Sequence, residues 1–172
     1  MTGTPDQTPP GEKPMKGLFI RTYGCQMNER DSEIAEQLLA LEGYGPTDNL
    51  DDADVILINT CSIREKAAQK VYSLLGQLRE AKAKKPSLLI GVAGCVAQQD
   101  GEQMASRMPH VDLIVGTQQI HRLPEMLDRL RRRETSREIA TDLDASFTVP
   151  AFQKLLVDAP LSPAPDNCRR FV

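Results

Sequence analysis

The sequence predicts an α/β domain, an open and mainly parallel sheet of Rossmann or flavodoxin type with helices on both faces. Two observations lead there. Short, almost continuous apolar runs alternate with segments whose apolar residues recur at helical spacing, the pattern of buried parallel strands and their crossover helices. Three of those runs, Gly17–Tyr23, Asp54–Thr60 and Leu88–Ala93, end in turns that carry Cys25, Cys61 and Cys95, 36 and 34 residues apart. In a parallel sheet all three thiols would sit at one edge, converging as the ligands of a cluster or metal do.

The elements follow in order. Leu18-Phe19-Ile20 begins a strand running into Tyr23-Gly24-Cys25, and Asn28 caps a helix to about Glu42 on which Ile34, Leu38 and Leu41 recur. Gly43 stands in the usual position past a last helical turn. The run Asp54–Asn59 reads as a strand covered on both faces. After Cys61, Ser62 and Glu65 form a capping box, and the helix it opens buries Ile63, Ala67, Val71, Leu74 and Leu78 before stopping ahead of Pro86. Leu88–Ala93 is a third strand, with Gly94 before Cys95. A helix near Gln98–Met108 leads to a fourth strand at Asp112–Val115. Gly116-Thr117 opens a last helical stretch, its main part starting at Pro124.

The boundaries drawn from this pattern are a disordered leader at 1–16, a domain at 17–133 and an irregular, Pro-containing tail at 134–172. At 172 residues the chain holds one domain with a proper core and is too short for two comfortable ones. It is 40% hydrophobic and 26% charged, with a net charge of -3, so attraction to nucleic acid or an anionic membrane has to be local. No apolar stretch approaches a membrane span, and the leader has no apolar core of a secretory signal. The expected compartment is the cytoplasm, where four cysteines point to metal binding, catalysis or burial before disulfides.

Thiolates form more readily in a positive local field. Cys61 immediately precedes a helix, and Cys25 and Cys95 lie within a few residues of one. Free N–H groups and helix dipoles there favour negative charge. Gly24 and Gly94 would let backbone approach an inorganic core closely. Three ligands leave one metal position open, as catalytic sites do. Spacing alone leaves three readings: a shared cluster or metal site, thiols packed in the core, which is the common fate of free cysteine, or redox chemistry. Cys168, in the tail, is set aside as a ligand. His110 and His121 read as solvated surface histidines. Arg122, Arg129, Arg131, Arg132, Arg133 and Arg137 read as a solvated helix face, with contact to RNA phosphate as the alternative.

The cysteine-bearing segments resemble a known family. Thr22-Tyr23-Gly24-Cys25-Gln26-Met27-Asn28-Glu29-Arg30-Asp31-Ser32-Glu33 is similar to the opening motif of the radical S-adenosylmethionine methylthiotransferases. Asn59-Thr60-Cys61-Ser62-Ile63-Arg64-Glu65-Lys66-Ala67 and Gly91-Val92-Ala93-Gly94-Cys95-Val96-Ala97-Gln98-Gln99 match the next two motifs. Gly116-Thr117-Gln118 and His121-Arg122-Leu123-Pro124 continue the resemblance to about Arg133, and the wording is that of the tRNA branch.

The resemblance implies that Cys25, Cys61 and Cys95 hold an auxiliary 4Fe-4S cluster whose open iron carries sulfur for transfer. It also implies tRNA as the partner, methylthiolated at C2 of N6-dimethylallyladenosine next to the anticodon. In the family a second 4Fe-4S cluster, bound by a CxxxCxxC motif in a following barrel, cleaves S-adenosylmethionine to a radical. No CxxxCxxC occurs in this sequence, since Val172 stands where the cysteine after Cys168 would fall. The expectation is an auxiliary cluster-binding domain, inactive alone; a truncated or frameshifted product and a domain that works with a barrel from another chain both fit. The alternative is a non-catalytic module docking on an enzyme or on tRNA.

Overall fold

A computed structural model describes residues 15–24, 26–61 and 65–143, the side chains of 65–68 excepted. Cys25, Cys168, the Ser62–Arg64 part of the proposed capping box and most of the leader and tail lie outside the described residues. Six strands form one wholly parallel sheet: β1 (Lys16–Tyr23), β2 (Tyr44–Pro46), β3 (Ala53–Thr60), β4 (Leu89–Gly94), β5 (Leu113–Val115) and β6 (Glu138–Ala140). Their order is β2-β1-β3-β4-β5-β6. The helices are α1 (Gln26–Leu41), α2 (Glu65–Lys84), α3 (Cys95–Arg107) and α4 (Leu123–Arg131), the last preceded by a 3-10 helix at Thr117–Arg122. The open parallel α/β sheet expected from the sequence is present, in the flavodoxin-type order.

Alternation along β3 divides the core in two. Val55 and Leu57 pack with Ala35 and Leu39 of α1 and with Leu123, Met126 and Leu127 of α4. Ile56 and Ile58 point the other way, into Val71 and Leu75 of α2 and Val96, Ala97 and Met104 of α3. Each such aliphatic side chain contributes about 1.5–3 kcal/mol by leaving water. The strand order reverses at β1, so the crevice beyond the carboxyl ends of β1 and β3 is the switch point where such sheets bind ligands.

Two expectations need correction, and one strand has no signal in the sequence. Asn28 is not a cap, for α1 begins two residues earlier and Asn28 lies within it, 1% exposed. β2 lacks any strand-like apolar alternation. It exists because Gly43, at φ 83°, turns the chain after α1 and accepts a hydrogen bond from the Lys16 amide at 3.0 Å. The segment 134–172 contains β6, fixed by polar bonds that an apolar pattern does not reveal. The Arg137 guanidinium donates to the carbonyls of Val111, Ala105 and Pro109 at 3.0, 2.8 and 2.9 Å, and the Glu138 amide reaches Asp112 O at 2.8 Å.

Ion pairs brace the amino ends of the strands. Lys82 Nζ lies 2.8 Å from Asp112 Oδ2, which also accepts from the Ile90 amide at 2.8 Å. Lys85 Nζ lies 2.9 Å from Asp54 Oδ1, while Asp54 Oδ2 accepts from the Gly17 amide at 3.0 Å. Partial desolvation raises the Asp54 carboxyl, but the bonds from Lys85 and Gly17 and the charges of Lys85 and Arg131 outweigh it. Its pKa therefore falls below the usual carboxylate value. A lowered folded-state pKa contributes stability above the unfolded value of about 3.9, lost as pH falls through the folded value. The urea midpoint should accordingly drop as pH is lowered below about 4. Asp54→Asn should lower the midpoint at neutral pH and flatten that acid limb.

Candidate metal centre

Register places the candidate residues. Tyr23 of β1 pairs with Thr60 of β3, and Thr60 pairs with Gly94 of β4, so three neighbouring strands end level. The next residues are Gly24, Cys61 and Cys95. The Cys61 amide donates to the Tyr23 carbonyl at 2.9 Å, which carries the β1–β3 ladder one step past the strands. Cys61 is buried, 3% exposed, and Cys95 is half-buried. Cys95 is the first residue of the thirteen-residue α3, a position where the helix end favours negative charge on sulfur. Cys25 follows Gly24 directly in the chain and is itself outside the described residues.

Gly24 and Gly94 adopt φ of 145° and 94°, conformations that L side chains rarely take. Each glycine lets two turns close on one another. A methyl group at Gly24 would lie 2.5 Å from Cys61 Cβ; one at Gly94 would lie 2.4 Å from Asn59 Oδ1 and 2.5 Å from the Thr60 carbonyl.

Beneath the turns lies a buried polar network. Asn28 Nδ2 donates to Asn59 Oδ1 at 3.0 Å, and Asn59 Nδ2 donates to the Asn28 carbonyl at 2.8 Å and to Ser32 Oγ at 3.0 Å. Ser32 Oγ and Thr22 Oγ1 are 2.8 Å apart. Sequence reasoning gave Asn59 and Ser32 no structural role beyond the strand and the motifs that contain them. A signal was present: Asn28, Ser32, Ala35 and Leu39 follow helical spacing on the face that meets the sheet, so two polar residues stand on a core-facing stripe. On the opposite face of β3 the Thr60 hydroxyl is buried with no hydrogen-bond partner. Burial raises the carboxyl of the half-buried Asp31, one turn beyond Asn28.

Two of the three predicted thiols thus sit on adjacent strand ends, with the third one residue beyond a described glycine at the same edge. Among the described residues no group of three or more His, Cys, Asp and Glu side chains gathers as a metal would require. The fit to a cluster therefore rests on three features: two sulfur donors, a helix N-terminus at Cys95, and an unpartnered buried hydroxyl next to Cys61. Those features suit a thiolate-bound, anionic group.

The other candidates lie elsewhere. His110 is not a solvated histidine, since its Nε2 lies 2.7 Å from the Leu75 carbonyl and its Nδ1 is buried without a partner. His121 is half-buried, in the 3-10 helix. Arg131 donates to the carbonyls of Ser87 and Asp54 at 3.2 and 3.0 Å. Arg129 pairs with Glu125 and Glu138, Arg132 with Asp128, and Arg137 holds β6 as described. Four of the six arginines read as a basic face are therefore engaged within the domain.

A further set of polar bonds ties the site to the last strand. Gln98, one turn along α3 from Cys95, donates to the Thr141 carbonyl, and Gln119 donates to the Asp142 carbonyl at 2.9 Å.

Fold and site together define an open parallel α/β domain with two described cysteines at the carboxyl ends of adjacent strands. Residues 17–116 match the model of Uncharacterized protein family UPF0004, and the chain belongs to that family. It is similar to a tRNA-2-methylthio-N(6)-dimethylallyladenosine synthase from Cereibacter sphaeroides, 62% identical over 112 residues, covering 65% of this chain and 26% of the relative. A protein of the same description from Desulfotalea psychrophila is 52% identical over 137 residues, covering 80% of this chain and 30% of that one. Another, from Herminiimonas arsenicoxydans, is 55% identical over 133 residues, covering 77% and 29%. The chain thus spans less than a third of the length of these curated relatives.

The glycine geometry is testable with a matched pair. Gly94→Ala should lower stability by about 2 kcal/mol or more, because strained φ and a blocked Cβ act together. Gly76→Ala, in α2 with nothing within 4 Å of the new methyl group, should raise stability by up to about 1 kcal/mol. Urea unfolding of both variants at neutral pH checks the contrast.

Proposed function

We propose that this chain is the auxiliary 4Fe-4S cluster-binding domain of a tRNA methylthiotransferase, with Cys25, Cys61 and Cys95 as ligands. The observation that carries the proposal is the level ending of β1, β3 and β4, each continued by a cysteine-bearing turn. The similarity to tRNA-2-methylthio-N(6)-dimethylallyladenosine synthases supports it and supplies the substrate class, a tRNA carrying N6-dimethylallyladenosine next to its anticodon. Such a cluster, held by three thiolates, would supply an iron position free of protein ligands for the sulfur chemistry at C2.

The chain's own residues do the holding. Cys95 presents sulfur from a helix N-terminus, Cys61 from the end of the central strand β3, and Gly24 carries the chain into Cys25. The Thr60 hydroxyl, adjacent to Cys61, is available to donate to a sulfur atom without surrendering another bond. Nothing in the sequence supplies the CxxxCxxC ligands for the cluster that cleaves S-adenosylmethionine. These 172 residues by themselves would therefore hold the auxiliary cluster only, and hydrogen abstraction would need a radical-generating cluster held outside them. No described helix is long and apolar enough to cross a membrane, and a tRNA substrate supports the cytoplasm as the compartment of this proposal.

Anaerobic reconstitution of the 172-residue chain should give about four iron and four sulfide per chain. A Cys25→Ala, Cys61→Ala, Cys95→Ala triple variant should give none. Iron in the variant equal to the parent would reject the ligand assignment. Incubated alone with S-adenosylmethionine, reductant and dimethylallyladenosine-containing tRNA, the chain should yield no methylthiolated nucleoside. Product in that assay would reject the need for a cluster held outside it.

A further inference from the structure

We infer that the buried Asn28–Asn59 pair is the positioning element that sets the spacing of the turns at Gly24, Cys61 and Cys95, an inference resting on the cluster assignment above. Both residues are 1% exposed, and across the α1–β3 boundary the Asn28 side chain donates to Asn59 Oδ1 while Asn59 Nδ2 donates back to the Asn28 main-chain carbonyl. The pair meets all three turns. Asn59 stands two residues before Cys61. A methyl group at Gly94, next to Cys95, would lie 2.4 Å from Asn59 Oδ1 and 3.0 Å from Asn28 Nδ2. One at Gly24, next to Cys25, would lie 3.2 Å from Asn28 Oδ1. The backbone on either side therefore rests directly on the two amides.

The chemistry of the pair suits this task. A carboxamide donates and accepts in one plane, so the Asn59 side chain holds both the side chain and the main-chain carbonyl of Asn28 at fixed offset and direction, which an apolar side chain of similar size does not impose. Ser32 Oγ takes the second Asn59 proton and Thr22 Oγ1 lies against it, anchoring the pair to α1 and β1 as well as β3. The amides carry no charge. They can lie beneath an anionic cluster without the repulsion a carboxylate would bring, and without competing for the metal as a thiol or imidazole would. Asn59 and Asn28 are thus positioning residues, acting on the cluster through the backbone of its ligands.

The test uses the full chain, reconstituted anaerobically, with two readouts: the rate at which a chelator removes iron, and the electron paramagnetic resonance spectrum of the reduced cluster. Asn59→Ala should lose iron about tenfold faster than the parent and show an altered spectrum. Asn59→Asp keeps the shape and the acceptor for Asn28 Nδ2 but removes the donor to the Asn28 carbonyl, and it should shift the spectrum even where Asn59→Ala folds poorly. Lys82→Ala, which breaks the ion pair at the opposite end of the strands, controls for loss of stability. It should release iron within about twofold of the parent and keep the parental spectrum. Parental rates and spectra in both Asn59 variants would overturn the inference alone, as would Lys82→Ala matching them. A parent that binds no iron would overturn the cluster assignment and this inference with it.

Discussion

Level register at the tops of β1, β3 and β4 is the constraint on which the candidate centre depends. Advancing any one of these strands by a residue would move its cysteine by about 3.3 Å and turn its side chain to the other face. In most sheets the hydrophobic pattern punishes such a slip by exposing apolar residues. It cannot do so here, because β3 is covered on both sides and Val55, Ile56, Leu57 and Ile58 are apolar whichever way they point. What a slip would break is polar. Asn59 would leave Asn28 and Ser32, Gly94 would leave the narrow gap beside Asn59, and buried donors would lose their partners. Apolar burial supplies the stability of the sheet, while a few amides and glycines fix its alignment.

The two ends of the strands are built from different materials. Charged pairs lie at the amino ends, where Lys82, Lys85, Asp54 and Asp112 grip backbone groups. The carboxyl ends of β1, β3 and β4 are fitted together by carboxamides, hydroxyls and glycines. The amino end of α3 adds a field of positive sign. This separation keeps fixed negative charge of the bracing carboxylates at the far side of the sheet from the thiols, and it lets the domain gain from ion pairing without opposing an anionic group at the other edge.

The legible and illegible parts of the sequence divide along the same line. The strands β1, β3, β4 and β5 and their helices stand out because parallel burial writes apolar runs and helical spacing into the chain. The cysteines recurring after each run put Cys61 and Cys95 at one edge, where the β3–β4 pairing has them. The missed features are held by bonds that leave no periodic trace: β2 by a backbone turn at Gly43, β6 by three carbonyl contacts of Arg137, and the amide pair by partners 31 residues apart. Asn28 shows how a local rule misleads. Asparagine just before an amphipathic run is usually a cap, but here tertiary partners on β3 outweigh the local hydrogen bond a cap would make. The arginines mislead in a related way, since their density suggested a solvated face whereas Arg131 and Arg137 are internal fasteners.

The bonds from Gln98 and Gln119 to the carbonyls of Thr141 and Asp142 have a mechanical consequence. The chain beyond β6 leaves the sheet at the same edge as the thiols and is pinned there at two successive peptide units, one of them through the first turn of α3. A helix turn is stiff and its pitch is only about 5.4 Å, so it works as a short lever. Tension or displacement applied to the segment after Leu143 would reach the sulfur of Cys95 through three residues of helix, with little compliance to absorb it. The same linkage runs in reverse, so a ligand that draws the Cys95 turn inward would re-aim the departing chain.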